Sequence, residues 1–359
     1  MLQTLMKFMP IATRIIDRKT TLPILSHICV SGGQIKATDL ETYVSMTVED
    51  SRSYTLPLNI LKEVMRSRPK LLEIDLVDDN KVRITYDSKS ITFPSMDVEE
   101  FPSCPGGRFK ATGVWTKDVL LKLYKQLPYL STDEMKLSLT GVYVNQNKVL
   151  SSCATDGHVL RFIKNADPEG KAKLKSNFQG VLPRKSVMIL SKVVHGNVRV
   201  AHRKGHLRFT LGKELEIFVK LIDEKYPDFE NVIPSEHKGE VCFDKNTLKN
   251  LVAEAKPFAV REMKVAAFMV NKDDMTLKVE DMENDIQWES SVPVIERKGE
   301  SIKIGLNLVL LERILRGIDE KEVMWHYSTP VSASIFSGAN GSADTINLIM
   351  PIRLEKEEQ

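Results

Sequence analysis

The stretch ATDGHVLRF, Ala154 to Phe162, sets an aspartate, a glycine and a histidine side by side. Asp-Gly between strand-like residues reads as a tight turn. Asp beside His would equally suit an acid–base pair. The choice turns on an echo, because ATDLE at Ala37 stands 117 residues earlier. LPLNILKEV at Leu56 returns as LPRKSVMIL at Leu182, a shift of 126. FPSMDVEEFP at Phe93 returns as FVKLIDEKYP at Phe218, a shift of 125, and each copy closes on an aromatic-proline pair, Phe101-Pro102 and Tyr226-Pro227. Three segments in one order at nearly one spacing are an internal repeat.

A fainter third copy follows. LKVEDMENDIQWESSV fills the slot of the ATD strands, IGLNLVLLERILRG that of the LP helices, and INLIMPIRL closes it. Each copy reads helix, hairpin, helix, hairpin. In TKDVLLKLYKQLPYLS, Leu120, Leu123, Tyr124 and Leu127 make one apolar stripe, with Lys122 and Lys125 on the other side. GVYVNQNKVLSS and VRVAHRKGHLRF alternate around tight turns, the second at Gly205. In the helix between them Val187, Leu190 and Val194 face inward while Lys185 and Lys192 share a polar face. The pattern predicts an α+β fold of three modules, each of two helices on antiparallel sheets. The boundaries fall in FPSCPGGRFKATG and FENVIPSEHKG, giving residues 1–111, 112–234 and 235–359. A strand-like RFKATGV opens the middle module. Aligning Val142–Val144 with Ile28–Val30 places Trp115 opposite residue 1, so the first module lacks its opening strand.

Composition narrows the function. The 359 residues are 42% hydrophobic and 28% charged, enough for a sizeable core. No apolar run reaches the ~20 residues that span a bilayer, and MLQTLMKFMPIATRIID reads as an amphipathic helix rather than a signal peptide. Cys29, Cys104, Cys153 and Cys242 are far apart, which argues against a zinc site or disulfide framework and suits a reducing cytoplasm. His195, His202 and His206 lack acidic or Cys companions at ligand spacing and read as part of a basic hairpin. No metal or other cofactor is expected. The net charge of +3 is unevenly placed: the modules carry +1, +8 and −6, the middle one with 20 basic against 12 acidic residues. That excess suggests a polyanion.

If the modules present their helices to a common wall, Arg14, Lys19, Lys62, Arg66, Lys122, Lys125, Lys185, Lys192, Lys249 and Arg313 line it. Such cations suit a phosphate backbone and read no sequence. Any one of them alone reads as a solvated helix face. No helix-turn-helix, zinc finger or aromatic-rich single-strand platform is evident.

Four motifs carry a family resemblance: KTTLPILSHI at Lys19, ATDGHVL at Ala154, KLIDEKYPDFENVIP at Lys220 and MPIRL at Met350. In these, their order and their spacing, the chain resembles the bacterial DNA polymerase III beta subunit, the sliding clamp. The resemblance implies a head-to-tail homodimer whose six modules form a ring around double-stranded DNA. It implies a clamp loader, the DNA polymerase III catalytic subunit and other proteins with Gln-Leu-x-Leu-Phe-type peptides as partners, no membrane, no catalysis and a cytoplasmic location. It also implies a peptide pocket built from Leu139, Thr155, Gly157, His158, Val159 and Leu160, from Pro227, Asn231 and Val232, and from Leu348, Met350, Pro351, Ile352 and Arg353. Two positions depart from the family: Val159 replaces an arginine, and Asn231 a commonly basic residue. Arg161, on Val159's face of a regular strand, is expected to supply the lost charge. Two rival readings remain. One is a clamp-like interaction protein that keeps the pocket without a ring. The other is a hydrolase using Asp156 and His158, for which no GxSxG-type elbow is present.

Overall fold

A computed structural model of the chain describes residues 1–17, 20–78, 80–260, 262–339 and 344–354. The fold is α+β and packs into two compact units. The first comprises Met1–Tyr124, Gln146–Lys148 and Glu169–Asp223; the second comprises Lys125–Asn145, Val149–Pro168 and Glu224–Gln359.

In the first unit one antiparallel sheet runs Lys173–Leu174, Lys110–Trp115, Val198–Arg203, His206–Leu211, Leu215–Lys220, Thr42–Thr47, Gln34–Thr38, His27–Ser31, Tyr54–Pro57. Strand Thr42–Thr47 of the first repeat pairs there with Leu215–Lys220 of the second. Helix Leu2–Ile15 lies on it, burying Leu5, Phe8, Ala12 and Ile15. Helices Lys117–Tyr124 and Arg184–Val193 pack on each other. A separate three-stranded sheet holds Leu72–Asp78, Lys81–Tyr86 and Lys89–Pro94.

The second unit repeats the plan. Its long sheet runs Leu150–Thr155, Val159–Ile163, Thr345–Ile349, Ser334–Gly338, Glu322–Tyr327, Gly239–Asp244, Glu296–Gly299. Val159–Ile163 of the second repeat pairs with Thr345–Ile349 of the third. A four-stranded sheet orders Ile286–Pro293, Asp274–Asp281, Val265–Val270, Ile302–Asn307, and helices Lys245–Ala255 and Leu308–Gly317 pack together.

Local chemistry explains the boundaries. Pro57 and Pro183 stand just before the second helix of their repeats, where a residue without an N–H ends the ladder and leads into a helix. In the third repeat Asn307 takes that place and accepts from the N–H groups of Val309 and Leu310. The helix predicted through Leu127 stops at Tyr124. Pro128 disfavours helical backbone at Leu127, which sits in a short 3-10 turn instead. Leu120, Leu123 and Leu127 are buried as the stripe requires, whereas Tyr124 is partly exposed. No helix among the described residues is long and apolar enough to cross a membrane.

One buried polar knot fixes the start of the second repeat. Gln146 accepts from the Trp115 indole at 2.9 Å and donates to the carbonyls of Thr112 and Ser176, both at 2.7 Å. Gln146→Leu leaves the buried Trp115 indole N–H without its acceptor and takes a donor from the Ser176 carbonyl, while the Thr112 carbonyl keeps the Lys175 N–H. The substitution is expected to cost about 2–4 kcal/mol, read as a lowered urea midpoint with an unchanged slope.

Candidate functional site

The ATDGHVLRF segment is a hydrogen-bonded turn. Thr155 Oγ1 donates to the Val159 carbonyl at 2.6 Å and accepts from Gly157 N at 3.1 Å. Asp156 Oδ1 accepts from the N–H groups of His158 and Val159, both at 2.9 Å. Its other oxygen, Oδ2, takes Arg313 Nη1 at 2.7 Å. Gly157 has φ +94°, the left-handed region that favours glycine.

The first repeat builds the same turn. Thr38 Oγ1 donates to Thr42 O at 3.0 Å, and Asp39 Oδ1 accepts from Glu41 N and Thr42 N at 3.1 and 2.6 Å. Asp39 Oδ2 takes Lys185 Nζ at 2.6 Å. Leu40 holds φ +75° where the second repeat has glycine. In the third repeat Asp281 Oδ1 accepts from Glu283 N and Asn284 N. Its Oδ2 takes the Asn284 amide at 2.8 Å, in place of a helix cation. That side-chain bond is the main reason its carboxyl lies below the usual carboxylate range.

This geometry turns Asp156 away from chemistry. One oxygen holds the turn and the other faces a guanidinium, while the exposed His158 is bonded through its backbone. The Cys153 thiol is pushed up by burial, which removes it as a nucleophile. Among the described residues no three metal-ligating side chains converge.

The pocket residues divide by exposure. Leu139, Thr155, Val159, Leu160 and Leu348 are buried. Gly157, His158, Pro227, Asn231, Val232, Met350 and Arg353 are exposed, with Pro351 and Ile352 between. Strand pairing sets Leu160 against Leu348, and Met350 N donates to the His158 carbonyl at 2.8 Å. Ile352 instead bridges to Gly305. Asn231 donates to Asp228 Oδ2 at 2.7 Å. Tyr226, beside Pro227, donates to the Cys153 carbonyl at 3.4 Å.

Arg161 corrects an expectation. Its guanidinium is buried, donating to the carbonyl of Gly317 at 2.8 Å and to Asn347 Oδ1 at 3.1 Å, over the ring of Tyr129. It is a fastener between strands and cannot supply a rim charge.

The sequence reading also missed an aromatic shelf. Tyr143 stacks on Tyr226 at 4.9 Å, and Phe229 meets Tyr143, Tyr226 and Phe162 edge-on. The shelf borders an open depression of about 480 Å³ that also takes in Asn145, Ser151 and Glu230. The depression shares only Pro227 with the carried-over pocket. The alternation of GVYVNQ, which puts Tyr143 between two core valines, was the available signal.

The cations have several fates. Lys185 is tied to Asp17, Asp39 and the Ile15 carbonyl, Arg313 to Asp156, and Lys125 to Asp319 at 2.5 Å. Lys185 and Arg313 therefore fasten neighbouring repeats. Arg14, Arg66 and Lys192 are exposed, and Lys62, Lys122 and Lys249 half-exposed. Lys19, also named for the wall, lies outside the described residues.

Strand-joined α+β repeats, fastened by aspartates from a repeated ATD turn, define a clamp-type repeat protein. The family model for the DNA polymerase III beta subunit N-terminal domain matches residues 2–105, and that for the central domain matches residues 117–228. The chain belongs to the DNA polymerase III beta subunit family. It is 23% identical to a beta sliding clamp of Pseudomonas putida and 25% to one of Pseudomonas aeruginosa, each over 98% of both chains. The solved beta chain from Streptococcus pneumoniae superposes with TM-score 0.88 at 19% identity, over 98% of both chains.

The turn makes its own prediction. Gly157→Ala meets no atom within 4 Å, so its cost is conformational. It is expected to lose about 1 kcal/mol, a drop of about 2–4 °C in the melting midpoint. Leu40→Gly is expected to leave the midpoint unchanged or raise it.

Proposed function

We propose that the protein is a DNA sliding clamp: two copies join head to tail into a ring around duplex DNA, and the ring tethers partner proteins through the peptide pocket beside ATDGHVLRF. It acts without catalysis, in the cytoplasm, and needs a loader to open it.

One observation carries the ring. Within the chain, the strand after the ATD turn pairs with the closing strand of the next repeat, Thr42–Thr47 with Leu215–Lys220 and Val159–Ile163 with Thr345–Ile349. The corresponding strands left over are Ile286–Pro293 and Lys89–Pro94, each at the edge of its sheet. A second copy supplies each with its missing partner. The charges suit the match. The edge strand Lys89–Pro94 carries Lys89 and no acid; on its neighbour Lys81 is paired with Asp78 and Arg83 stands opposite Asp75. The hairpin around Ile286–Pro293 carries Asp274, Glu280, Asp281, Glu283, Asp285 and Glu289 against Lys278. Trp288 on that edge strand stacks on Phe258, which is 41% exposed, giving an apolar anchor.

The ring holds DNA by topology, so tight phosphate contacts are a hindrance to movement. The ion pairs of Lys125, Lys185 and Arg313 fit that need. The pocket reading rests on Met350, 39% exposed and bonded to the turn, as an adaptable apolar anchor.

Trp288→Arg is expected to weaken self-association by roughly 100-fold, giving a monomer at micromolar concentration by native mass; a wild type that is itself monomeric there would sink the ring. Protein loaded on closed circular DNA should stay bound and escape on linearisation. A fluorescent Gln-Leu-Asp-Leu-Phe peptide should bind at micromolar concentration or below, with Met350→Ala weakening it by roughly tenfold. No binding to folded protein would overturn the pocket.

A further inference from the structure

Part of the positive excess of the middle repeat sits on its sheet rather than on its helices. In strands Val198–Arg203, His206–Leu211 and Leu215–Lys220, alternation sends Val198, Val200, Leu207, Phe209, Ile217 and Val219 into the core. The opposite face is set out in rows by the strand register. Arg203 lies opposite His206, and His206 opposite Lys220. In the next row stand Ala201, Arg208 and Phe218. The row beyond runs from Lys173 through Val114, Arg199 and Thr210 to Glu216. Glu216 is the only acid in these rows, and it faces Arg208 at 3.6 Å.

A shallow depression of about 330 Å³ opens in this face, lined by Lys175, Arg199, Arg208 and Glu216 together with the small residues Ala111, Gly113 and Ala201. Small residues keep it open, and a Cβ at Gly113 would stand 2.2 Å from the Lys173 carbonyl. The Arg199 guanidinium is steadied by the Gly212 carbonyl at 2.7 Å. Arg208 lies over the ring of Phe109 at 5.1 Å, and its buried Nε–H has no acceptor.

We propose that this sheet face is a second DNA contact, distinct from the helix-borne cations, that takes the sugar–phosphate backbone without reading sequence. Residues two apart on a strand are about 6.7 Å apart and neighbouring strands about 4.8 Å. The cations therefore form a two-dimensional array, wider than one extended acidic peptide would fill. Guanidinium groups such as those of Arg199 and Arg203 bind phosphate oxygens bidentately. The aromatic rings here are covered: Phe109 lies beneath Arg208, and Phe218 is buried against Tyr43 and Phe109. No stacking platform for bases remains, so the contact is with backbone.

The test uses the full-length protein, unloaded, with a short linear fluorescent duplex whose binding is followed by anisotropy across a salt series. Arg199→Ala with Arg203→Ala is expected to weaken binding by about tenfold and to flatten the log–log salt slope by about 1.8, the share of two phosphate contacts. The same loss is expected in a Lys122→Ala, Lys192→Ala background, which separates this face from the helix-borne cations. Unchanged affinity in a variant with a native melting curve overturns the proposal. So does polyglutamate of equal charge competing as well as DNA, which would assign the face to an acidic protein.

Discussion

Each joint inside the chain depends on one carboxylate performing two tasks. Asp39 and Asp156 each give one oxygen to the backbone of their own turn and the other to a cation on a helix of the next repeat. Hydrogen bonds to charged groups contribute about 1.5–3 kcal/mol, more than neutral ones. Dividing one carboxylate this way couples the turn to the joint. If the turn loosens, the ion pair loses its geometry, and the edge strand beyond the turn no longer meets its partner. Asp281 keeps the first task and gives its second oxygen to Asn284, and the strand after its turn, Ile286–Pro293, is left at a sheet edge.

The repeat and its elements were legible because their signals are local. Alternation, and in the first two repeats the proline before the second helix and the three-residue ATD signature, survive without knowledge of packing. The turn at Gly157 could be read, and so could the inward faces of Val187 and Leu190. The partners of long side chains could not. Helical spacing put Lys185 and Arg313 on polar faces, which is correct, and left them available for DNA. Only the fold shows that they meet carboxylates 146 and 157 residues away.

Arg161 failed for a related reason. Period-two alternation placed it on Val159's face, and both side chains do share the buried face of that strand. The sequence carries no sign that this face is interior at a cation, because the partners, Tyr129, Gly317 and Asn347, come from three distant segments. A buried guanidinium is tolerated only where carbonyl and amide oxygens replace water. Gly317 belongs to the same arrangement: a Cβ there would come within 2.5 Å of the guanidinium.

Charge placement also bears on which edges can meet. An unpaired strand is a hazard, because any exposed ladder will accept a like strand. Here the two edges carry opposite signs. Two copies of the Lys89 edge would bring Lys89 of one against Lys89 of the other, and two copies of the Glu289 edge would bring Glu289 against Glu289. Like charges across a strand pair are destabilising and opposite charges favourable. Pro94 and Pro293, at the ends of these strands, add a residue that cannot donate to a ladder. Electrostatics thus selects unlike edges, the condition a closed head-to-tail assembly requires.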